Sequence, residues 1–316
     1  MRILVTGADG FIGRALVRRL LGSEVLPGLE DKSRQLVMLD RSAAAYVVED
    51  RVQRLAGDIA DPALLEEAVG SGLECVFHLA SVPGGAAEAD FELGLHANLR
   101  GTAALLEALR RQRRPARLVF ASTIAVYGVP MPALIDESTL PAPTLSYGAQ
   151  KLAGEILVTD YSRRGFIDGC SLRLPGIVAR PSSSGMLSAF LSDIIRVLSA
   201  GGSFTCPVSE HGMSWWMSRR RVVDNLLHAA ALGAPALSAQ RVFLLPVLHA
   251  SLGEVVAAIA RVHGPEVCSR VTYHPNAALQ AQFASYPPLS CPRSLAAGFR
   301  HDGSLDALVR DALEEP

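Results

Sequence analysis

Lysine is almost missing from this chain. Of the 30 basic residues among 316, only Lys32 and Lys151 are lysine and the other 28 are arginine, so either chance or chemistry beyond arginine's reach has kept an ammonium there. An excess of either charge is missing too. The formal net charge of -1 excludes the broad basic field of a nucleic-acid binder and an acidic tail. Cysteine is sparse: Cys75, Cys170, Cys206, Cys268 and Cys291 are odd in number, far apart and without a Cys-x-x-Cys pair. Neither a disulfide framework nor a metal site is expected from them, only isolated buried thiols. No uninterrupted apolar run is long enough for a bilayer, and Met1-Arg2 leads straight into Ile3-Leu4-Val5 rather than into the pattern of a signal peptide. The expectation is a cytoplasmic protein without membrane contact.

What is present is a large apolar fraction, 49%, enough for one large or two smaller domains. Short aliphatic runs at Arg2 to Val5, Gln35 to Leu39, Val52 to Leu55, Cys75 to Leu79, Arg117 to Ala121 and Asp168 to Leu174 read as strands. Helical spacing lies between them at Gly13 to Leu21, Ala63 to Val69, Asn98 to Arg111 and Ser146 to Arg164. That alternation predicts a doubly wound parallel α/β sheet whose ligand crevice lies at the carboxyl ends of the strands. Residues 1–175 are assigned to this domain. Beyond them the texture turns to Pro, Ser and Gly clusters, and residues 176–316 read mostly as a smaller, substrate-binding lid, with the helix near 222–232 returning to the first domain.

The first strand ends in Thr6-Gly7-Ala8-Asp9-Gly10-Phe11-Ile12-Gly13 and a helix begins at once. Gly7 serves the tight turn, Gly10 the approach of a pyrophosphate and Gly13 the packing of helix on strand, with Phe11 and Ile12 beside them, as in a Rossmann-type dinucleotide site. Asp40 closes the second strand, where a carboxylate accepts from adenosine ribose hydroxyls and repels a 2'-phosphate, so NAD is favoured over NADP. Arg41 keeps NADP open, since it either pairs with that phosphate or is solvated. The interval from Gly13 to Asp40 exceeds the usual spacing of about 20 residues, and 27–34 reads as an inserted loop in which Lys32 is a solvated charge. Asp58 and Ile59 follow the third strand, where Asp58 meets the adenine amino group or caps a turn. After the fourth strand, Leu79, Ala80 and Ser81 are expected against the cofactor, whereas His78 reads as a satisfied core residue.

Tyr147-Gly148-Ala149-Gln150-Lys151 sets a phenol and an ammonium at i and i+4 on one helical face, and Ser122-Thr123 ends a strand on the same sheet edge as the glycine turn. A free tyrosine is a poor base near neutrality. An adjacent ammonium and a nicotinamide cation favour its phenolate, which takes an alcohol proton as hydride leaves. Thr123 then bonds the reacting oxygen, and Lys151 also reaches the ribose.

Together, Thr6-Gly7-x-x-Gly10-x-x-Gly13, Asp40, Gly57-Asp58-Ile59, His78-Leu79-Ala80, Asn98, Ser122-Thr123 and Tyr147-x-x-x-Lys151 resemble the extended short-chain dehydrogenase/reductases, the NAD-dependent epimerase/dehydratase superfamily, over essentially the whole chain. The resemblance implies a Rossmann domain with a substrate lid. It makes Tyr147 the proton acceptor, Thr123 its partner four residues before Tyr127, Asn98 a support for the site, and Pro175 and Ile177 cofactor neighbours. It also implies a homodimer paired through the helices of Asn98 and Tyr147.

Three departures narrow the resemblance. Ile124-Ala125 stand where dehydratases carry an acid pair, and Leu172-Arg173-Leu174-Pro175-Gly176-Ile177-Val178 lacks the Asn usual in nucleotide-sugar enzymes. Ala87-Glu88-Ala89-Asp90-Phe91-Glu92-Leu93-Gly94, the inserted loop, Ser162-Arg163-Arg164-Gly165-Phe166, and Leu172 to Pro175 followed by Arg180-Pro181 look like the D-erythronate dehydrogenase subgroup. The implied reaction is NAD-dependent oxidation of a small sugar acid to the 2-oxo acid. A nucleotide-sugar 4-epimerase with retained NAD is the alternative, and a cofactor-sensing protein without chemistry is a third reading. An arginine fork suits a carboxylate, which singles out Arg180 and one of Arg219, Arg220 and Arg221. Ser81, Thr123, Tyr147 and Ser218 are candidates for substrate hydroxyls, and Trp215 and Trp216 either wall the pocket or fill the lid. The run Arg110 to Arg114 at a helix end complements the helix dipole rather than nucleic acid.

Overall fold

The computed structural model describes residues 1–22, 34–42, 49–180, 187–233, 237 and 241–313. The assignments made for Lys32 and most of the inserted loop, and for Pro181, lie outside the described residues. The leading half alternates as its pattern demands: β1 (Arg2–Thr6), α1 (Phe11–Leu21), β2 (Gln35–Asp40), β3 (Val52–Ala56), α2 (Pro62–Val69) and β4 (Cys75–His78). The helices α3 (Gly84–Ala89) and α4 (Phe91–Gly94) follow, then a π-helical turn at Leu95–Arg100, α5 (Gly101–Arg110), β5 (Arg117–Thr123), a 3-10 turn at Ile124–Tyr127, β6 (Ile135–Asp136), α6 (Ser146–Arg163) and β7 (Asp168–Leu174).

Beyond β7 come β8 (Gly176–Ile177), α7 (Ala189–Ser199), β9 (Phe204–Cys206), β10 (Met213–Met217) and α8 (Arg219–Ala231). The chain continues through β11 (Val242–Leu244), β12 (Leu248–Ser251), α9 (Leu252–His263), β13 (Val271–Tyr273), α10 (Ala277–Phe283), β14 (Leu289–Ser290), α11 (Pro292–Ala296) and α12 (Leu305–Leu313). Local chemistry sets several helix starts. Asp61 accepts the Ala63 N–H with Pro62 at the first position of α2, and Ser251 with Glu254 forms a capping box on α9.

Seven parallel strands form the central sheet in the order β11-β7-β5-β4-β1-β2-β3. Their runs read as continuously apolar because helices cover both faces. On one face α1 and α8 bury Leu16, Val17, Leu20, Val222 and Leu226 against the sheet. On the other, α2, α5 and α6 bury Leu65, Leu105, Leu109 and Val158. The order reverses between β1 and β4, which opens the crevice where the glycine turn lies. A second core, with Leu191, Ile194, Trp216, Val255 and Ile259 at its centre, is built by α7, α9 and α12 around the small sheet β12-β10-β8.

The chain crosses between the two bodies more often than a single boundary after 175 describes. α8 packs on α1, β5 and β7, and β11 pairs with β7 at the edge of the main sheet. The β11 strand has only three residues, too short a run to stand out in the Pro- and Ser-rich half.

Candidate active site

The glycine turn has the geometry of a phosphate cradle. Gly7 has a φ of 70°, and a Cβ there would stand 2.7 Å from the Ala80 nitrogen. A Cβ on Gly13 would stand 2.1 Å from the Gly7 oxygen, so both positions require glycine. No side chain caps the start of α1 at Gly10, which leaves its amides facing the crevice. Asp40, at the end of β2, accepts the N–H of Asp9 at 2.9 Å and of Arg41 at 2.7 Å. The turn and the uncapped start of α1 have the chemistry that suits a phosphate group.

A cavity of about 500 Å³ runs from this turn to the lid. Gly7, Gly10, Phe11, Ile12, Gly13, Leu79, Ser81, Thr123, Tyr147, Lys151, Pro175, Ile177 and Arg180 all line it, so residues up to 173 positions apart in the chain meet along one wall. Tyr147 and Lys151 come from the first turns of α6, whose leading amide, on Ser146, donates to the Glu88 carboxylate. Thr123 ends β5. Its hydroxyl oxygen accepts the Ala125 N–H at 3.1 Å, and the hydroxyl also meets the Tyr147 phenol.

Burial raises the Tyr147 phenol above its ordinary value, while the Arg180 charge and the Ser81 and Thr123 hydroxyls pull it down. Lys151 is 1% exposed, with Nζ 4.8 Å from the Phe120 ring centroid and 5.9 Å from that of Tyr147. Burial pushes its ammonium down to about 7 against the pull of Glu155. His78 is bracketed by the Thr6 and Thr102 hydroxyls at 2.7 and 2.9 Å, and burial lowers it to about 3; it is a neutral core residue. Arg180 lies over the Phe11 ring at 5.5 Å, and no carboxylate among the described residues pairs with it.

Other expected site residues are not on the cavity wall. Asp58 accepts the Ala60 N–H and pairs with His96 at 2.7 Å, a turn and a surface partner rather than the cavity. Ile59 is buried in contact range of Gly101, and Ala80 backs Gly7. Asn98 is fully buried and brackets the main chain of Val82, accepting its N–H at 2.7 Å and donating to its oxygen at 3.1 Å; it fixes the strand-end loop that carries Ser81.

Two residues expected to meet the substrate, Trp215 and Ser218, do not line the cavity. Trp215 is fully buried, its Nε1–H donating to the Pro287 oxygen and its ring packed on Tyr286. Ser218, also fully buried, accepts the Arg221 N–H as the cap of α8. Arg220 and Arg221 are engaged by Asp311 and Asp224. The far wall is instead built by Ser192, Ser214, Gln282 and Tyr286. The Ser214 hydroxyl is buried with no hydrogen-bond partner. No sequence pattern marked these four, because tertiary packing alone turns them inward. Among the described residues no group of His, Cys, Asp or Glu is arranged to hold a metal, and no helix is long and apolar enough to cross a membrane.

Residues 3–241 match the model of the NAD dependent epimerase/dehydratase family. The chain belongs to that family. Within it the chain is 39% identical to a D-erythronate dehydrogenase of Cupriavidus necator, over 100% of this chain and 98% of that one. It is 30% identical to a D-erythronate dehydrogenase of Haemophilus influenzae, over 99% of each. Among solved structures, a nucleoside-diphosphate-sugar epimerase from Agrobacterium tumefaciens superposes with a TM-score of 0.90 at 32% identity, covering 98% of this chain and 92% of that one. A nicotinamide cofactor is therefore the family's expected occupant of the glycine cradle.

Proposed function

We propose that this protein is a dehydrogenase that oxidises the secondary alcohol of a small sugar acid, D-erythronate or a close relative, to the 2-oxo acid, with NAD as acceptor. The observation that carries the reading is the juxtaposition of Arg180 with Tyr147 in one half-buried wall: a guanidinium with no carboxylate partner among the described residues stands beside a phenol. A substrate carboxylate supplies the missing partner, and its neighbouring hydroxyl then falls to the phenol. The two D-erythronate dehydrogenases that match over nearly the full chain support the same substrate class.

In this reading Tyr147 is the general base, and its phenolate is favoured by the cationic surroundings. Thr123, whose hydroxyl meets Tyr147, also bonds the reacting oxygen and so aligns the alcohol for proton removal. Lys151 holds the nicotinamide ribose and supplies positive field. Ser81, Ser192, Ser214, Gln282 and Tyr286 bond the remaining hydroxyls. Gly7, Gly10, Gly13 and Asp40 hold the dinucleotide, and Asp40 disfavours a 2'-phosphate, hence NAD over NADP. When bound, the nicotinamide accepts the hydride. A homodimer joined through the helices of Asn98 and Tyr147 would cover the exposed apolar side chain of Ile156 on α6.

The test is NADH formation on mixing the protein with NAD and tetronic acids. Turnover that disappears in Tyr147→Phe supports the reading, and inactivity on every aldonic acid overturns it. The similarity to an Agrobacterium sugar epimerase keeps a 4-epimerase as the second reading. That enzyme would interconvert sugar epimers without net reduction of added NAD.

A further inference from the structure

Glu155 lies one helical turn beyond Lys151 on α6 and is only 3% exposed. Its carboxylate accepts from Arg173 of β7 at 2.8, 3.0 and 3.3 Å. The Ser122 hydroxyl adds a bond at 2.5 Å. Arg173 turns its remaining Nη1 to the Tyr127 phenol at 2.9 Å. One carboxylate thus ties the helix of Tyr147 and Lys151 to the strand end that carries Thr123, to the turn after it, and to β7. A buried ion pair is weak grounds for stability, because apolar residues of the same volume hold a fold as well or better. Its place directly under the reacting groups calls for an electrostatic reason.

We propose that Glu155 is a positioning residue for the reaction: clamped by Arg173 and Ser122 one helical turn from Lys151, its carboxylate favours the charged form of the ammonium that lies near the rings of Phe120 and Tyr147. The proposal rests on the reading of Tyr147 and Lys151 as the proton-handling pair. Burial brings the ammonium down to about 7 even with Glu155 opposing it, and without that carboxylate it would fall further. Of the other groups facing Lys151, Tyr147 comes from α6, the apolar ring of Phe120 from β5, and His78 from β4, where it stays neutral through the working range. Arg173 of β7 stands behind the carboxylate. Burial works against the guanidinium charge, yet Glu155 raises Arg173 above its ordinary value, so the guanidinium stays charged and the net field at Lys151 depends on both partners.

That balance predicts opposite signs for two substitutions. Glu155→Gln removes the stabilising charge and leaves Arg173 as a like charge, so Lys151 loses its proton at lower pH. Arg173→Gln leaves the carboxylate unneutralised, so Lys151 keeps its proton to higher pH. Chain composition makes a direct measurement available. In a Lys32→Arg background Lys151 is the only lysine, and isotope-labelled lysine gives one NMR signal whose Cε shift titrates with the amine. The expected result is a midpoint moved down by about 1 pH unit or more in Glu155→Gln and up in Arg173→Gln, with the alkaline fall of kcat moving the same way in each. Midpoints that stay put, or that move in the same direction in both variants, overturn the proposal in favour of a structural clamp. Should Glu155→Gln fail to fold, the upward shift in Arg173→Gln decides alone. The lysine signal needs no turnover, so an inactive wild-type protein would sink the proposed reaction while the titration still gives its own answer.

Discussion

The Lys151 ammonium lies 4.8 Å from the centroid of the Phe120 ring, one helical turn from Tyr147 and out of reach of solvent. A compact ammonium fits between those two rings; a planar guanidinium with five donors neither fits the slot nor finds partners for its extra N–H groups. Lys151→Arg is expected to lower kcat by about 100-fold or more in a steady-state NADH assay. Lys32→Arg is expected to leave it unchanged.

Asp40 is the second position to test. Its carboxylate is held by the amides of Asp9 and Arg41, so it cannot swing away from an approaching phosphate. Asp40→Ala should raise the ratio of NADP to NAD efficiency by about tenfold or more, since a like-charge contact of even ~1.4 kcal/mol is worth that factor. Comparing kcat/KM for the two cofactors checks it; an unchanged ratio would move the discrimination elsewhere.

Ser218 separates stability from catalysis. As the cap of α8, its replacement by alanine should lower stability by about 1 kcal/mol in a urea titration while the KM for the acid stays at the wild-type value. A large rise in KM with unchanged stability would restore it to the substrate site.

The thiols give a test without turnover. Of the five, only Cys268 is exposed, and burial pushes Cys75 and Cys170 up to about 12. One thiol should react with a disulfide reagent in the native protein at neutral pH, and five after unfolding. The sign for stability follows. Thiols raised in the folded state favour it fully below the unfolded value near 8.5, and that advantage is lost as pH climbs from there toward about 12. Melting temperatures across pH 8 to 11 should therefore decline less steeply in a Cys75→Ala, Cys170→Ala double variant.

Ile156, exposed on α6, tests the proposed dimer. The unsubstituted protein should run as a dimer and Ile156→Glu as a monomer in light scattering after gel filtration, with far-ultraviolet circular dichroism unchanged; a monomeric unsubstituted protein overturns the dimer.

The cofactor half was legible because its chemistry is local. Gly7, Gly10 and Gly13 stand at fixed offsets from a strand end, and Tyr147 and Lys151 lie one turn apart on a helix, so spacing alone brings them to one edge. The lid was not. In the pair Trp215-Trp216, strand alternation sends the two rings to opposite faces, both into packed interior, which adjacency in sequence could not reveal. Ser218 precedes a helix in the manner of a cap, and a capping hydroxyl has the same chemistry in sequence as one that meets a substrate. Glu155 was equally visible one turn after Lys151, but its meaning depends on Arg173, a partner supplied by a different strand.

The β11 strand closes the edge of the main sheet only after the chain has been out through β8, α7 and β10 and back along α8. The lid is therefore an insertion with several junctions, not an appendage. A fragment ending at residue 175 would leave β7 as a bare edge and α1 without its partner helix, and should aggregate rather than bind dinucleotide. Anyone grafting a foreign lid to change substrate preference has to keep α8, β11 and the Phe299 segment, which packs on His228 and Phe243 in the first core, from the host.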